Sequence, residues 1–354
     1  AFCVATKRKY RGGGLLTVWR RARPTSKSVW LAVVAFAIAW SAGARVAVAA
    51  DVQAREALDA DRLEWSVLPV VAGNSDLGVI FGGFFVLAGF EPGYEPYRWR
   101  AENVLVASVK PGPHGADWPL QVLRTKWDLP GLLAGRLRLE ATLGLARFAH
   151  EPWYGVGNAS PIQAPAPDSP GDPARYHQYG KREASLRLIG RLPLPHDLEA
   201  VVGVEVRAFQ PQPFPGSLLS QHLAAADAGG YALYGTSTFV DLVPTVGMLY
   251  DTRDHETVPM AGMRHALALR GGLGVPRGSG VLWAGLTLDA RFYVPLAAPW
   301  LALAVRALID QMWGQPPWDE LRGGGAFDPI SLPGGMSAVR GVPAGRYAGP
   351  IKAL

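Results

Sequence analysis

Residues 135–148 read GRLRLEATLGLARF. Leu137, Leu139, Ala141, Leu143 and Leu145 share one parity, and Arg136, Arg138, Glu140 and Thr142 share the other. A strand projects successive side chains to opposite faces, so this spacing predicts a strand with one apolar and one polar face. The same theme recurs along the chain. Residues 183–192 set Ala184, Leu186, Leu188 and Leu192 against Glu183, Ser185, Arg187 and Arg191. Residues 198–209 set Leu198, Ala200, Val202, Val204 and Val206 against Glu199, Glu205 and Arg207. Residues 281–294 set Leu282, Leu286, Leu288 and Phe292 against Thr287, Asp289 and Arg291.

Two architectures share this pattern. A soluble sandwich turns its apolar face inward, whereas a membrane barrel turns it to lipid and its polar face to the lumen. Alternation alone does not separate them. Segment length favours the barrel, because sandwich strands usually have only about five or six residues. So does the polar face, where both signs of charge mix with Gly and Thr. Aromatic residues also gather near segment ends (Trp99, Trp118, Trp127, Phe148, Trp153, Tyr154, Tyr293, Trp300 and Trp313), as at a membrane interface. The expected fold is therefore all-β, an antiparallel transmembrane β-barrel of about ten or eleven strands. They are placed near 76–89, 98–110, 118–128, 135–148, 183–192, 198–209, 239–251, 264–275, 281–294 and 300–313, with 64–72 as an additional first strand. Pro69 suits an edge there. In 118–128, Arg124 and Asp128 fall on the apolar face. With 64–72 counted, the long connections 149–182, 210–238 and 314–350 all follow odd-numbered strands, the arrangement of a barrel whose long loops face outside.

The chain has 354 residues, with 42 Gly and 30 Pro, which suits many turns rather than long helices. Its net charge of +6 resides in residues 1–50, which hold nine basic residues and no acid; the remainder carries 26 basic against 29 acidic residues, a balance of −3. A nucleic-acid partner is therefore not expected. The only cysteine, Cys3, leaves no disulfide or thiolate metal site downstream. Basic residues 20–27, apolar residues 29–44 and Ala47-Val48-Ala49 follow the order of a secretory signal, with cleavage expected near Ala49 or Ala50. An uncleaved anchor is the alternative, although the apolar run is short for a spanning helix. The predicted organisation is a leader at 1–50, a short periplasmic segment at 51–63 and the barrel at 64–354, exported to a bacterial outer membrane. The seven histidines are scattered, and no H-E-x-x-H, G-x-S-x-G or P-loop occurs. A polar lumen accounts for Glu140, Glu205 and Asp289 without catalysis. No enzyme activity, cofactor or metal is expected.

Three motifs carry a resemblance. Gly334-Gly335-Met336-Ser337-Ala338-Val339-Arg340-Gly341 precedes Gly345-Arg346-Tyr347 in the last long connection. Tyr250-Asp251-Thr252-Arg253-Asp254 is followed by Pro259 and Gly262 at a strand end. Leu68-Pro69-Val70-Val71 leads to Asn74-Ser75-Asp76-Leu77-Gly78. Together, over residues 64–354, these resemble the BamA/TamA-like surface-antigen barrels of outer-membrane assembly. Val342 departs from the Phe or Tyr usual there. The resemblance implies a lumen loop whose Arg340 pairs with a wall carboxylate, for which Asp289 is the candidate within this chain. It also implies a sixteen-stranded barrel with this loop after the eleventh strand, so the chain reads as truncated, and as lacking the periplasmic POTRA domains. The implied function is assembly or translocation of outer-membrane proteins or lipids. Outer-membrane lipid, client outer-membrane proteins and accessory periplasmic proteins are the implied partners. The alternative is a passive pore or structural surface antigen.

Overall fold

The structure, a computed structural model, describes residues 3–9, 15–21, 61–94, 96–112, 115–158, 160, 165, 171–256, 258–296, 301–327, 330–331, 342–343 and 345–353. The chain divides into two compact units, Ala1–Ala60 and Asp61–Leu354. In the first, β1 (Cys3–Lys9) pairs antiparallel with β2 (Leu15–Arg21). The apolar run and cleavage site of the expected leader lie outside the described residues.

The second unit is an antiparallel meander. In order come β3 (Arg62–Asn74), β4 (Gly78–Phe90), β5 (Trp99–Gly112), the short β6 (Gly115–Asp117), β7 (Leu120–Gly131), β8 (Leu137–Pro152), β9 (Gln178–Leu194) and β10 (Leu198–Pro213). Then follow β11 (Phe239–Asp251), β12 (Gly262–Val275), β13 (Leu282–Pro295) and β14 (Ala302–Gln315), with short pieces β15 (Gly323–Gly324), β16 (Ile330–Ser331) and β17 (Ile351–Ala353). Each long strand from β3 to β14 pairs with the next, and β17 adds to β14 at Ile309–Gln311. These eleven long strands are the eleven segments read from the sequence, with ends shifted by a few residues. Among the described residues no pairing joins β3 to the other end of the sheet.

Burial decides between sandwich and barrel. On β13, Leu282 and Leu288 are 63% and 43% exposed, whereas Thr287 and Asp289 are 2% and 4% exposed. On β11, Val240, Leu242, Val246 and Met248 are exposed, and Asp241 and Thr245 are buried. A sandwich would bury the leucines. Here the polar parity is inside and the apolar parity outside, the order of a membrane barrel. Each outward leucine gains about 1.5–3 kcal/mol on leaving water for lipid. At about 3.3 Å per residue and roughly 40° tilt, the 14-residue β13 rises about 35 Å, more than the ~25 Å apolar band requires. No helix among the described residues is long and apolar enough to cross a membrane, which does not bear on crossing by strands.

Two expectations about faces are corrected. In β7 the outward set is Leu123 and Trp127, while Asp128 is buried and Arg124 lines the lumen beside Lys126. Pairing of Trp127 with Ala141 and Thr125 with Leu143 fixes this phase, so neither charge of β7 meets lipid. Trp118, Trp127 and Trp313 are exposed as an aromatic belt requires, but Trp153 is fully buried. Phe148 lies under the Lys181 ammonium in the lumen. Phe148 shares the inward parity of Arg138 and Glu140, and Trp153 lies beyond an irregularity in β8 between Phe148 and Glu151, where the chain bends over the barrel mouth.

The long connections meet over that mouth. Helix α1 (Leu218–Ala225) starts at Ser217, whose side-chain oxygen accepts from the Ser220 amide at 3.2 Å. It buries Leu218 and Leu219 against Trp153, Tyr176, Leu233, Trp318 and Leu321, an apolar cap on a polar lumen.

Candidate functional site

After β14 the chain doubles back through Pro316-Pro317, and residues 318–327 enter the lumen. Trp318 is fully buried. Its ring meets those of Trp153, Tyr179 and Phe209 edge-on at 5.2, 5.1 and 5.6 Å, and its indole N–H donates to the Gly235 carbonyl at 3.1 Å. This anchor delivers Asp319 and Glu320 to the wall. Arg207 of β10 reaches Asp319 at 2.8 Å and Glu320 at 2.9 Å, and lies 3.9 Å from Asp241. Arg270 of β12 donates to Glu320 at 3.2 Å and to both oxygens of Asp310 at 3.0 and 2.7 Å. Asp310 also accepts from the Thr287 hydroxyl and the Gly325 amide, each at 3.0 Å. Lys352 donates to the Glu320 carbonyl at 3.0 Å. Arg322 donates to the Tyr179 hydroxyl and, at 3.2 Å, to Glu151. The returning chain presses on this last arginine: a Cβ at Gly345 (φ +65°) would stand 2.6 Å from its Nε.

The two loop carboxylates respond oppositely to this setting. Burial raises Asp319, with Arg207 acting against it and Glu320 adding to it. Burial would raise Glu320 too, but Arg207, Arg270 and Lys352 outweigh it and hold the carboxyl down at about 2.

A second ionic cluster closes the other end. Asp128 accepts twice from Arg138 at 2.9 and 2.6 Å and also from the Tyr97 hydroxyl. Arg138 reaches on to Glu256 at 2.8 Å. Glu140 pairs with Lys126 at 2.6 Å and Arg191 at 3.2 Å, and Arg191 with Glu199 at 2.6 Å. Glu256 arrives from connection 252–261, which folds inward. Its shape comes from the strand-end motif. Arg253 clamps Asp251 at 2.8 and 2.6 Å. One oxygen of Asp254 accepts from the His255, Met260 and Ala261 amides at 2.9, 2.9 and 3.2 Å, and these bonds hold its carboxyl below the ordinary range against burial. Gly262 has φ +97°, and a Cβ there would stand 2.2 Å from the Thr252 carbonyl. Tyr250 stacks on His265 at 6.1 Å. Pro259 is half-buried within the same connection.

The remaining expected site residues divide. Gly335, Ser337, Arg340 and Gly341 lie outside the described residues. Arg346 donates to the Ser160 hydroxyl at 3.1 Å and carbonyl at 2.8 Å, and lies over the rings of Tyr154 and Tyr347. Asp289 is at a lumen position, with both oxygens engaged by Arg291 (3.2 and 2.6 Å) and Arg306 (3.0 and 2.7 Å). Residues 318–322, which carry the plug, were missed. Their signal was a Trp, two acids and an Arg immediately before Gly323-Gly324-Gly325.

These features define a class: an antiparallel transmembrane β-barrel wall whose lumen is crossed by its own loops. No family model and no curated protein matches the chain. Among solved structures, it is similar to BamA from Haemophilus ducreyi lacking POTRA domains 1–3, at 9% identity and TM-score 0.42, over 76% of this chain and 45% of that one. The chain thus spans less than half the length of that BamA. It is also similar to OmpT, an outer membrane protein of Vibrio cholerae, at 9% identity and TM-score 0.26, over 72% of this chain and 90% of that one.

Proposed function

We propose that this chain works in the bacterial outer membrane as a closed-lumen barrel of the assembly and translocation kind, helping client proteins or lipids into the membrane without covalent chemistry. One observation carries the reading: Asp319 and Glu320 fasten a loop across the lumen to Arg207 and Arg270 of two different strands. A lumen blocked in this way weighs against steady passive diffusion and directs any passage to the wall. The strand-end motif supports the reading as well, since Asp251, Arg253, Asp254 and Gly262 build one rigid connection. The second reading, a structural surface antigen, is favoured by the apolar cap, which buries the long connections on one another.

The test is folding of an unrelated outer-membrane barrel into phosphatidylcholine vesicles, with and without this chain already embedded. The proposed reading expects the client's heat-modifiable folded form to appear several-fold faster with the chain present. Equal rates would leave the structural role and overturn the assembly role.

A further inference from the structure

Among the described residues, the outward-facing positions of β3 to β14 carry only two residues of the Asp, Glu, Lys and Arg types. They are Arg147 of β8 and Arg182 of β9, and they are neighbours. Arg147 shares parity with the exposed Leu143 and Leu145, and Arg182 with the exposed Leu186 and Leu188. The register places Gln121, Arg147, Arg182 and Gln210 directly opposite one another on four adjacent strands. The next row toward the barrel middle is Leu123, Leu145, Ala184 and Ala208.

Such a row demands an explanation. Like charges directly opposite on a sheet repel, and a guanidinium facing hydrocarbon is costly. Neither arginine makes an ion pair or hydrogen bond among the described residues, and Nε of Arg147 is buried with no acceptor. Height resolves part of the cost. Ten residues separate Leu137 from Arg147 along β8, about 25 Å of rise at roughly 40° tilt, which is the height of the apolar band. The pair therefore stands at headgroup level, on the rim that carries the long connections.

We propose that Gln121, Arg147, Arg182 and Gln210 form a site for the phosphate of a membrane lipid in the leaflet on the long-connection side. Two planar guanidinium forks side by side match the several oxygens of one phosphate, and the flanking amides add donors. The anion removes the repulsion between the arginines. Ala184 and Ala208 leave space below the charges for the start of an acyl chain. A lipid phosphate, rather than a free one, fits a site whose lower wall is apolar and faces hydrocarbon. The proposal rests on the reading that the outward face meets lipid.

The experiment embeds the full chain in phosphatidylcholine vesicles with or without phosphatidic acid, extracts it in mild detergent, and counts retained lipid by native mass spectrometry. Wild type should retain phosphatidic acid; R147Q/R182Q should retain roughly tenfold less, and R147K/R182K an intermediate amount, since an ammonium lacks the planar fork. Equal retention by wild type and R147Q/R182Q in protein that has embedded overturns the lipid site alone. Failure of wild type to float with vesicles overturns the membrane reading as well. Complete displacement of phosphatidic acid by inorganic phosphate makes the row a free-anion site and overturns the lipid assignment. If R147Q/R182Q does not fold, R147Q and R182Q separately decide; each should lower retention about threefold, and unchanged retention in both overturns the proposal.

Discussion

Asp319 and Glu320 are consecutive, buried and share Arg207, yet they titrate in opposite senses. Glu320 gains a second guanidinium from Arg270 and the Lys352 ammonium, which hold it at about 2 against an ordinary 4.5. For Asp319 burial prevails and raises it, with Arg207 and Lys181 acting against the burial and the carboxylates of Glu320 and Glu183 adding to it. The consequences for stability have opposite signs. A lowered carboxyl stabilises the fold fully above its unfolded value, so the Glu320 contribution holds down to about pH 4.5 and is lost toward pH 2. A raised carboxyl contributes below its unfolded value, and that contribution is lost as pH rises, so the ionised Asp319 is a cost at neutral pH. Glu320→Gln is therefore expected to destabilise the folded barrel at pH 7 by on the order of 2 kcal/mol, with the deficit shrinking toward pH 3. Asp319→Asn is expected to be neutral or mildly stabilising at pH 7. Urea midpoints of the heat-modifiable form at the two pH values measure both. A larger loss in D319N than in E320Q at pH 7 would reverse the electrostatic account.

At the scale of elements, the strands were legible and the plug was not, for a physical reason. A strand between lipid and a wet lumen must alternate along its whole length, so β8, β9, β10 and β13 announce both position and face. β7 misleads because Leu120 and Val122 share parity with Arg124, and only pairing with β8 restores the phase. Connection 252–261 was legible as a motif, since a carboxylate that collects three amides and a glycine at φ +97° allow few substitutes. Residues 318–322 have no period. Trp-Asp-Glu-Leu-Arg reads as an ordinary solvated loop until Arg207, Arg270 and Asp310 are seen to face the same lumen. The connection yields a direct expectation. Gly262→Ala forces a left-handed conformation on a side chain that meets the Thr252 carbonyl, at a cost of about 2 kcal/mol or more. It should lower the urea midpoint and, by loosening Glu256 from Arg138 and Arg191, speed proteolysis within 252–261. An unchanged midpoint together with unchanged proteolysis would mean that this connection is not a rigid closure.

For the whole molecule, the question is what keeps the lumen shut. The apolar cap packs loops on loops, and its only strand-borne contributors sit at the mouth, such as Phe209, Phe239 and Trp283. The ionic network instead ties a loop to the wall at Arg207, Arg270 and Asp310, below the cap. Losing one partner of such a buried group costs about 3–5 kcal/mol when nothing replaces it, because the other charges are left facing one another. In Arg207→Gln/Arg270→Gln the carboxylates of Asp241, Asp310, Asp319 and Glu320 would crowd one space without their two closest guanidinium partners, and Lys181, Arg322 and Lys352 would remain as the nearest cations. Repulsion should expel residues 318–327 from the lumen, while the outward face and strand pairing, which these two arginines do not touch, keep the barrel in the membrane. The double variant in a planar bilayer is thus expected to show discrete conductance steps that wild type lacks. Low pH should suppress the steps, because protonating the four carboxylates removes the repulsion that drives the loop out. A variant that embeds and heat-modifies normally yet stays closed at neutral pH would show that the cap, and not the ion pairs, holds the lumen shut.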